Sequence, residues 1–529
     1  MRGRIKVFTY YENEKLYQII VNKLVEEKLI ERGAFLNKEA ISDELLLKIK
    51  EIDLSNCQFL NVSLNGIEKL ENLESFTFKG MSIFKLNSVI NSDGRPLEDE
   101  NGRLTCSEQW INDKIEDYNK TILKDITPLY KCKRLKKIVL ANQIEIKHIN
   151  LANFPLLKQL NLSGCSNLAV VSGLEEVLKG KDLSKLDFNF RDCQSLKSVE
   201  NFGDVVNVLS LGGQCTNPII KLPIRSYCNL VSNAKFVSDE ERKQIEQNLI
   251  KSEAILWCEN GLKGEKLALK SAGMKILMQR VDDILSGICS EYFSEFQNMK
   301  NIYIWITENT MYDKKLETEE ENALANGKKM NISHLIRTSY GTLFRGKGVC
   351  VGISNLCALM FAEAGFTAKT AMCEACKFEN DKHFKYSPNH QICYVENMQG
   401  QQYFFDPTWD TYAGRALRKK NKDKILYFLM NKQEATKRRT FMRLDGISDA
   451  PNLYIDANEL PTLERCEQWI KENGIKEALS NSYNKTNGYE DEPIEVVEDA
   501  NEYSSVEMPE YVDEDSMCYE TQKGEERGM

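Results

Sequence analysis

A short pattern of alternating apolar and polar positions recurs through the first half of the chain. Six segments carry it: Ile52-Asp53-Leu54, Phe76-Thr77-Phe78, Ile138-Val139-Leu140, Leu160-Asn161-Leu162, Leu186-Asp187-Phe188 and Leu209-Ser210-Leu211. Their first residues are 24, 62, 22, 26 and 23 positions apart, and the long gap contains a polar, charged insertion at about residues 91–118. Alternation predicts short strands. Because one such unit cannot bury its own apolar face, the recurrence predicts a stack of similar units.

The residues that follow these segments point to a family. Leu162 precedes Ser163-Gly164-Cys165, and Leu54 precedes Ser55-Asn56-Cys57. This pattern resembles the leucine-rich repeat family, in which each unit adds a strand to a parallel sheet and an Asn or Cys turns the backbone. The resemblance implies a repeat domain at residues 46–226 that binds a protein partner or substrate. The alternative is an ordinary α/β domain with coincidental spacing.

The residues before the repeats are predicted to close the first unit. The segments from Leu16 to Val25 and from Glu39 to Ile49 have a helical pattern. Repeat domains need a polar-faced terminal unit. We therefore expect a helical cap at residues 1–45.

Cys350 lies where a glycine-rich turn meets a predicted helix. Apolar residues at positions 353, 357, 360, 361 and 364 form one helical face, and Gly365 is a natural end for that helix. Gly346 and Gly348 break the chain just before it. A helix start stabilises a thiolate and offers free backbone N–H groups to an oxyanion. Cys350 is therefore a candidate nucleophile, whereas Cys357 is expected to face the core and to be inert.

A predicted hairpin carries a partner for this thiol. His390 begins an alternating segment that ends at Glu396, and a second one at residues 401–405 leads to Asp406. The residues between them predict a hairpin loop with Gly400 in a left-handed conformation. A five-residue connection puts His390 opposite Asp406, and a four-residue one shifts the pairing by one. In both cases a carboxylate can orient the imidazole, as in a nucleophile, base and orienter triad.

Four blocks of this region occur in the order that characterises one superfamily. They are Tyr303 to Asp313, Ser339 to Cys350, the histidine strand, and Asp406-Pro407-Thr408-Trp409-Asp410. The chain here resembles the transglutaminase-like (papain-like cysteine protease) superfamily, in the bacterial branch that carries repeat domains. The resemblance implies a catalytic domain at residues 300–430, with Cys350 as nucleophile, His390 as general base and Asp406 as its orienter.

The two resemblances together imply an α/β multidomain fold, a leucine-rich repeat solenoid followed by an α+β papain-like transglutaminase core. The implied reaction is acyl transfer on protein amide bonds, completed by water (peptidase or amidase) or by a second amine (protein-glutamine transglutaminase). Hydrolysis is favoured because water needs no dedicated amine site. We expect no cofactor and no metal, and the sequence shows no EF-hand-like calcium loop.

A zinc site is the competing interpretation of the same region. The candidate ligands are Cys373, Cys376, His383 and His390. Their spacing is irregular for a zinc finger, although a Cys-x-x-Cys pair is suggestive. With zinc, or with an inactive domain, the protein would be a non-enzymatic leucine-rich repeat interaction scaffold.

Other aromatic and ionisable residues receive simpler interpretations. Tyr340 and Trp409 are expected to be core aromatics that wall the cleft, and His148 and His334 to be surface or packing residues. The basic runs at residues 415–424 and 437–439 are expected to be solvated.

The remaining segments are predicted from composition and charge. We expect a helical connector at residues 227–299, a basic and helical extension at 431–484, and a disordered acidic tail at 485–529. From residue 490 onward, fifteen acidic residues stand against Lys523 and Arg527, a net charge of −13; the whole chain has −9, which leaves +4 elsewhere. A nearly neutral body gives no case for nucleic-acid binding.

The sixteen cysteines bear on the compartment. They are scattered among apolar neighbours rather than gathered in a short framework, which favours reduced thiols. The N-terminus turns polar before a secretory signal core could form, and no uninterrupted apolar stretch approaches 18 residues. We therefore expect a cytoplasmic protein with no membrane partner.

Overall fold

The protein is a mixed α/β chain with several sheets, and it divides into two compact units between Ile276 and Leu277. The computed structural model describes residues 7–33, 37–55, 63–80, 121–211, 218–233, 238–252, 254–259, 268–328, 336–375, 390–396, 402–411, 425–431, 434–435 and 439–441. The insertion at 91–118, the basic run at 415–424, the helix expected in the extension and the acidic tail lie outside these residues.

The first unit contains many short strands. They are β1 (Val7–Phe8), β2 (Ile41–Ser42), β3 (Glu51–Asp53), β4 (Ser75–Thr77), β5 (Lys137–Val139), β6 (His148–Asn150), β7 (Gln159–Asn161), β8 (Val170–Ser172), β9 (Asp187–Asn189), β10 (Ser198–Val199), β11 (Ile220–Pro223), β12 (Ile255–Cys258) and β13 (Ala268–Lys270). Its α-helices are α1 (Glu14–Glu26), α2 (Asp43–Leu46), α3 (Leu174–Leu178), α4 (Phe202–Leu211), α5 (Tyr227–Asn233) and α6 (Asp239–Lys251), and α7 (Ser271–Ile288) begins in it. Short 3₁₀ turns lie at Ile67–Lys69, Thr127–Lys131, Leu151–Asn153, Leu183–Lys185 and Ile224–Ser226.

Eight of these strands form one sheet in the order β13-β12-β11-β9-β7-β5-β4-β3. Every neighbouring pair is parallel except β12 with β13. A second, three-stranded parallel sheet has the order β10-β8-β6, and β1 pairs with β2 in an antiparallel hairpin-like ladder. Strand order follows chain order in both parallel sheets, as in a stack of similar units.

A ladder of apolar side chains runs across the large sheet in register. Its members, each at most 2% exposed, are Ile52, Phe76, Ile138, Leu160, Phe188, Ile220 and Ile255. Some flanking residues of the same strands, such as Lys137 and Gln159, are exposed. Each strand buries its ladder side chain against its neighbours, and burial of one such side chain contributes about 1.5–3 kcal/mol.

The sixth predicted strand, Leu209-Ser210-Leu211, is wrong, because these residues end helix α4. Phe202, Val205, Val206 and Leu209 are buried at helical spacing, and this periodicity outweighs a three-residue alternation. The place in the sheet next to β9 is taken by β11, with Ile220 opposite Phe188.

The N-terminal helix is confirmed as α1. Asn13 caps it by accepting a hydrogen bond from the Leu16 amide, and Glu14 follows in the first turn. The second predicted helix is shorter than expected, since Ile41 and Ser42 form a strand before α2 begins.

Residues 227–299, predicted to be helical, contain helices and also strands β12 and β13. Strand β12 extends the parallel sheet, with Ile255 opposite Ile220. Its sequence Ile255-Leu256-Trp257 is too short and too apolar for periodicity to separate a strand from a buried helix.

The second unit surrounds a four-stranded sheet. Its helices are the rest of α7, α8 (Glu295–Asn309), α9 (Lys314–Ala325), α10 (Ser339–Arg345), α11 (Cys350–Glu363) and α12 (Pro407–Asp410). Its strands are β14 (Met311–Tyr312), β15 (Lys347–Gly348), β16 (Thr367–Ala375), β17 (His390–Glu396), β18 (Gln402–Phe405) and β19 (Arg439–Phe441). The sheet has the order β18-β17-β16-β19 and is antiparallel throughout, while β14 pairs with β15 in parallel.

Helix α11 forms the core of this unit. Every residue from Cys350 to Phe361 is buried, and the helix packs on β16 and β17 and against α8, α10 and α12. A helix that is apolar all round belongs in a protein interior. Among the helices of the described residues, none is long and apolar enough to span a membrane.

Candidate active site

Cys350 is the first residue of α11, as predicted. Strand β15 pairs with β14 just before it, and the Val349 amide donates to the Ile336 carbonyl at 2.8 Å. Gly346, with φ +63°, makes the preceding turn in the left-handed region. The approach to Cys350 is therefore fixed by backbone hydrogen bonds on two sides.

The start of α11 presents unoccupied backbone donors. Val349 is the N-cap but makes no side-chain cap hydrogen bond. Within the described residues, no backbone carbonyl from outside the helix accepts from the amides of Cys350, Val351 or Gly352. A helix start of this kind carries partial positive charge, which stabilises negative charge on the thiol sulfur or on a nearby oxygen.

His390 and Asp406 meet, although not in the predicted register. Glu396 pairs with Gln402 and Cys393 with Phe405, so the ladder continues to place His390 across from Thr408 rather than Asp406. The prediction is off by two residues because the five residues between the paired strands are 397–401 rather than 396–400, and a displacement of one residue shifts the pairing by two. Since the offset is even, the same face is kept, and the chain turns at Asp406 to begin α12. The Asp406 side chain then reaches back, with Oδ2 at 2.7 Å from His390 Nε2.

The histidine lies between the thiol and the carboxylate. Nε2 is engaged by Asp406, so Nδ1 is the ring nitrogen left for Cys350, whose thiol is close enough to help raise the pKa of His390. Cys350, His390 and Asp406 are 5%, 4% and 0% exposed, so the three groups interact with little screening by water.

The ionisation of His390 is shifted toward the imidazolium. Burial alone would lower its pKa, but the charge and hydrogen bond of Asp406, followed by the interaction with Cys350, raise the pKa to about 9. His390 therefore carries a proton at neutral pH in this environment.

Arg439 is a member of the site that sequence reasoning missed. It was expected to be solvated, but it is 2% exposed, and its Nε and Nη2 donate to Asp406 Oδ2 at 3.0 and 2.6 Å. The expectation was wrong because β19 pairs with β16, which carries Arg439 inward opposite Ala375. This strand also lies beyond residue 430, where the catalytic domain was predicted to end. No local signal in a run of basic residues shows that pairing.

One oxygen of Asp406, Oδ2, accepts from three nitrogen atoms, namely Nε2 of His390 and Nε and Nη2 of Arg439. Burial would raise its pKa, but the charges and hydrogen bonds of His390 and Arg439 lower the pKa to about 2. The second oxygen, Oδ1, lies 3.4 Å from the Trp409 amide nitrogen at the start of α12. Asp406 is thus an anion whose orientation is fixed from two sides.

Asp410 holds the backbone of residues 426–427 close to Asp406. It accepts hydrogen bonds from the Tyr303 hydroxyl at 2.7 Å and from the backbone amides of Leu426 and Tyr427. The Tyr427 carbonyl in turn accepts from the Asp406 amide at 2.9 Å. The Asp-Pro-Thr-Trp-Asp block therefore contributes two carboxylates with different tasks. Asp406 binds His390, and Asp410 binds the backbone amides of residues 426 and 427.

Aromatic rings line the same cluster. Trp409 stacks on His390 with ring centroids 5.4 Å apart and planes at 21°. It is half-buried, as is Tyr340, which packs against Phe344. Trp409 thus packs against the His390 ring, as expected, but it is not a fully buried core residue.

A second, partly buried ion pair lies near the thiol. Arg337 donates to Glu320 from α9, and the charges of Glu320 and Cys350 raise the Arg337 pKa against the effect of burial. The Arg337 carbonyl also accepts from Asn355 in α11. The basic and acidic side chains here were not singled out in the sequence, because neither lies in a motif.

The zinc interpretation rests mostly on residues outside the described part. Cys376, His383 and also His334 are among them, while Cys373 is buried in β16 directly opposite His390. Within the described residues, no group of three or more candidate ligands is arranged to hold a metal ion. His148 is exposed, with Nε2 2.9 Å from Ser172 Oγ.

Comparison with known proteins gives only weak similarities. No family model matches the sequence and no curated protein matches it. Among solved structures, one described as a TGase shares 17% identity over 34% of this chain, with a TM-score of 0.19, and this chain spans 35% of that protein's length. Internalin C2 from Listeria monocytogenes shares 14% identity over 39% of this chain and 96% of its own, with a TM-score of 0.15. A second internalin of that organism, inlF, shares 14% over 50% and 86%, with a TM-score of 0.14.

Proposed function

We propose that this protein is a cysteine-nucleophile acyltransferase or hydrolase that acts on protein amide bonds. Cys350 is the nucleophile, His390 the general acid and base, and Asp406 the residue that orients the imidazole. The observation that carries the proposal is the buried His390–Asp406 pair, with Oδ2 at 2.7 Å from Nε2, together with the buried Cys350 thiol at the start of α11 that also interacts with His390.

In the first half of the proposed reaction, Cys350 attacks and His390 supplies the proton to the leaving group. The Cys350 thiolate attacks the amide carbonyl carbon, and the C=O electron pair moves to an oxyanion near the N–H groups at the start of α11. The oxyanion collapses, the C–N bond breaks, and its electron pair leaves with the amine. His390 gives its proton to that nitrogen, which leaves a thioester on Cys350 and a neutral imidazole.

The second half returns the enzyme to its starting state. Water, or a second amine, attacks the thioester carbon while His390 takes the proton of the attacking group. Collapse of this second intermediate releases a carboxylic acid or a new amide and restores the thiolate–imidazolium pair. We favour hydrolysis, because no dedicated amine site is needed for water.

We further propose that the first unit is a leucine-rich repeat domain that recruits the protein substrate or partner. Its support is the ladder of buried apolar residues at regular strand positions, with polar neighbours such as Lys137 and Gln159 exposed on the same strands. The cysteines of the described residues are free thiols, which is typical of proteins in a reducing compartment, and we propose the cytoplasm. We propose the domain order predicted from the sequence, with β12 and β13 included in the first domain and β19 included in the second.

The experiment that tests the reaction is detection of the acyl-enzyme. The full chain is incubated with a soluble protein extract, and the acid-quenched peptide 348–369 is searched by mass spectrometry for thioester adducts on Cys350. We expect adducts that disappear on treatment with hydroxylamine and are missing from Cys350→Ala. A biotinylated primary amine added in parallel distinguishes the two outcomes, because only transamidation incorporates it into substrates. If wild type and Cys350→Ala gave no adducts and left the proteins of the extract unmodified to the same degree, the result would instead favour the interaction scaffold.

A further inference from the structure

Both hydrogen bonds that Arg439 donates to Asp406 go to a single oxygen atom. Its Nε and Nη2 lie 3.0 and 2.6 Å from Oδ2, the same oxygen that accepts from His390 Nε2 at 2.7 Å. We propose, on the basis of the function proposed above, that Arg439 is a positioning residue that shares the Asp406 carboxylate with His390 and thereby allows His390 to release its proton to the leaving amine.

The argument begins with the charges of the resting site. A protonated His390 and Arg439 both face the single negative charge of Asp406, which is fully buried. Arginine remains protonated in proteins, so the charge of Arg439 is constant through the reaction. His390 is the partner whose charge changes.

Proton release would otherwise leave a buried carboxylate without a cation. An unpaired ion in a dry interior is strongly destabilised, so Asp406 alone would oppose loss of the His390 proton. With Arg439 in place, Asp406 keeps one cation and two charge-assisted hydrogen bonds after the proton leaves. The guanidinium therefore makes His390 a stronger acid than a histidine–aspartate pair by itself.

The guanidinium is also fixed in its plane. It lies 4.2 Å from the Trp409 ring centroid and 4.8 Å from that of Tyr427. Trp409 stacks on His390, and Tyr427 is tied by its amide to Asp410. Both hydrogen bonds to Oδ2 thus hold the carboxylate in one rotamer, which in turn fixes the imidazole.

Other ionisable groups face this cluster from the packed elements of the described chain. They are Cys350 from α11, Tyr303 from α8, Cys373 from β16, Asp410 from α12, and Tyr427. Asp410 is engaged by Tyr303 and by backbone amides. Arg439 is therefore the permanent cation of the described residues that shares the carboxylate with His390.

The test compares variants that separate charge from geometry. Arg439→Gln removes the charge but keeps an N–H donor, whereas Arg439→Lys keeps the charge but loses the planar fork. Full-length protein with labelled histidines is titrated by NMR, and His390 is identified by its absence from His390→Ala. We expect the pKa of His390 to rise by about one unit or more in Arg439→Gln, since removal of a nearby cation favours the imidazolium. In Arg439→Lys we expect it to stay near the wild-type value.

Three further observations decide the result. Equal His390 titration in wild type, Arg439→Gln and Arg439→Met would overturn the proposal and leave Arg439 a packing residue. If neither neutral variant folds, the wild type itself gives the answer: the Arg439 Nε–H resonance must shift as His390 titrates, and a constant resonance overturns the proposal. Alkylation of Cys350 in the wild type tests the proposed function separately. If Cys350 proves unreactive, the proposed enzymatic function is wrong, whereas the NMR titration still decides whether Arg439 lowers the pKa of His390.

Discussion

Asp406 accepts hydrogen bonds from a histidine and an arginine on a single oxygen, and both cations compete for one buried charge. The histidine and the carboxylate were found in the sequence because strand alternation and the Asp-Pro-Thr-Trp-Asp block mark their places. Arg439 was not, because its position depends on the pairing of β19 with β16, two strands far apart in sequence. Local patterns carry no information about that pairing.

At the scale of one residue, the raised pKa of His390 makes stability depend on pH. The folded pKa of about 9 lies above the ordinary value of 6.5, so the stabilisation is complete below pH 6.5 and is lost as pH rises through 9. One pKa unit corresponds to about 1.4 kcal/mol, so we expect a loss of roughly 3 kcal/mol across this range.

That loss is measured by urea unfolding at pH 6.5 and pH 9.5. The comparison uses Cys350→Ala and Cys350→Ala/His390→Gln, so that ionisation of the thiol does not contribute. Because Cys350 is one of the groups that raise the His390 pKa, we expect the loss in Cys350→Ala to be smaller than in the wild type. We expect the double variant to lack most of the pH dependence. If the free energy of unfolding changed equally between pH 6.5 and pH 9.5 in the two proteins, the charge arrangement described for Asp406 and His390 would be contradicted.

At the scale of elements, helix α11 and the repeated strands were the most predictable features. A helix begins at Cys350 because apolar residues recur at helical spacing after a glycine turn, and Gly365 follows it with φ +94°. Five of the seven ladder residues lie in strands predicted from the alternating segments, whereas Ile220 and Ile255 lie in strands that the pattern did not predict. The hairpin register was less predictable, since a connection displaced by one residue along the chain shifts the strand pairing by two residues. The false strand at 209–211 shows that three alternating residues are too few against a longer helical pattern.

Gly352 is expected to be indispensable to the start of α11. A Cβ there would lie 2.3 Å from Thr342 Oγ1 and 2.5 Å from the Ile336 carbonyl oxygen, so backbone would have to move. We expect Gly352→Ala to destabilise the protein by about 1–3 kcal/mol and to slow alkylation of Cys350. The matched control is Gly273→Ala in helix α7, where the nearest atom is 3.8 Å away. There we expect a gain of about 0.5–1 kcal/mol, and urea unfolding of both variants gives the comparison.

The strand ladder of the first unit gives a second test at this scale. Leu160 is 2% exposed and lies in register between Ile138 and Phe188. We expect Leu160→Ala to cost about 2–5 kcal/mol, because it removes a packed side chain and leaves a cavity. Its exposed neighbour Gln159 is the control, and Gln159→Ala should change stability by less than about 0.5 kcal/mol. Similar effects of the two substitutions would contradict the ladder.

At the scale of the whole molecule, two units with different tasks are proposed, one for recruitment and one for chemistry. We expect substitutions on the exposed strand positions of the first unit, such as Lys137→Glu with Gln159→Arg, to reduce acyl-enzyme formation from a protein extract. Alkylation of Cys350 by iodoacetamide should stay unchanged in that variant. An unchanged set of adducts would show that these strand positions take no part in recruitment.

The central claim is that Cys350 is a nucleophile activated by His390. The most direct measurement is the rate of iodoacetamide alkylation between pH 5 and pH 9, read site by site on the peptide 348–369. This peptide carries both Cys350 and the buried Cys357, so each measurement contains its own reference. We expect Cys350 to react at least about tenfold faster than Cys357 near pH 7 and to lose that advantage in His390→Ala. Equal, slow labelling of the two thiols in the wild type, or a Cys350 rate that does not respond to loss of His390, would contradict the claim.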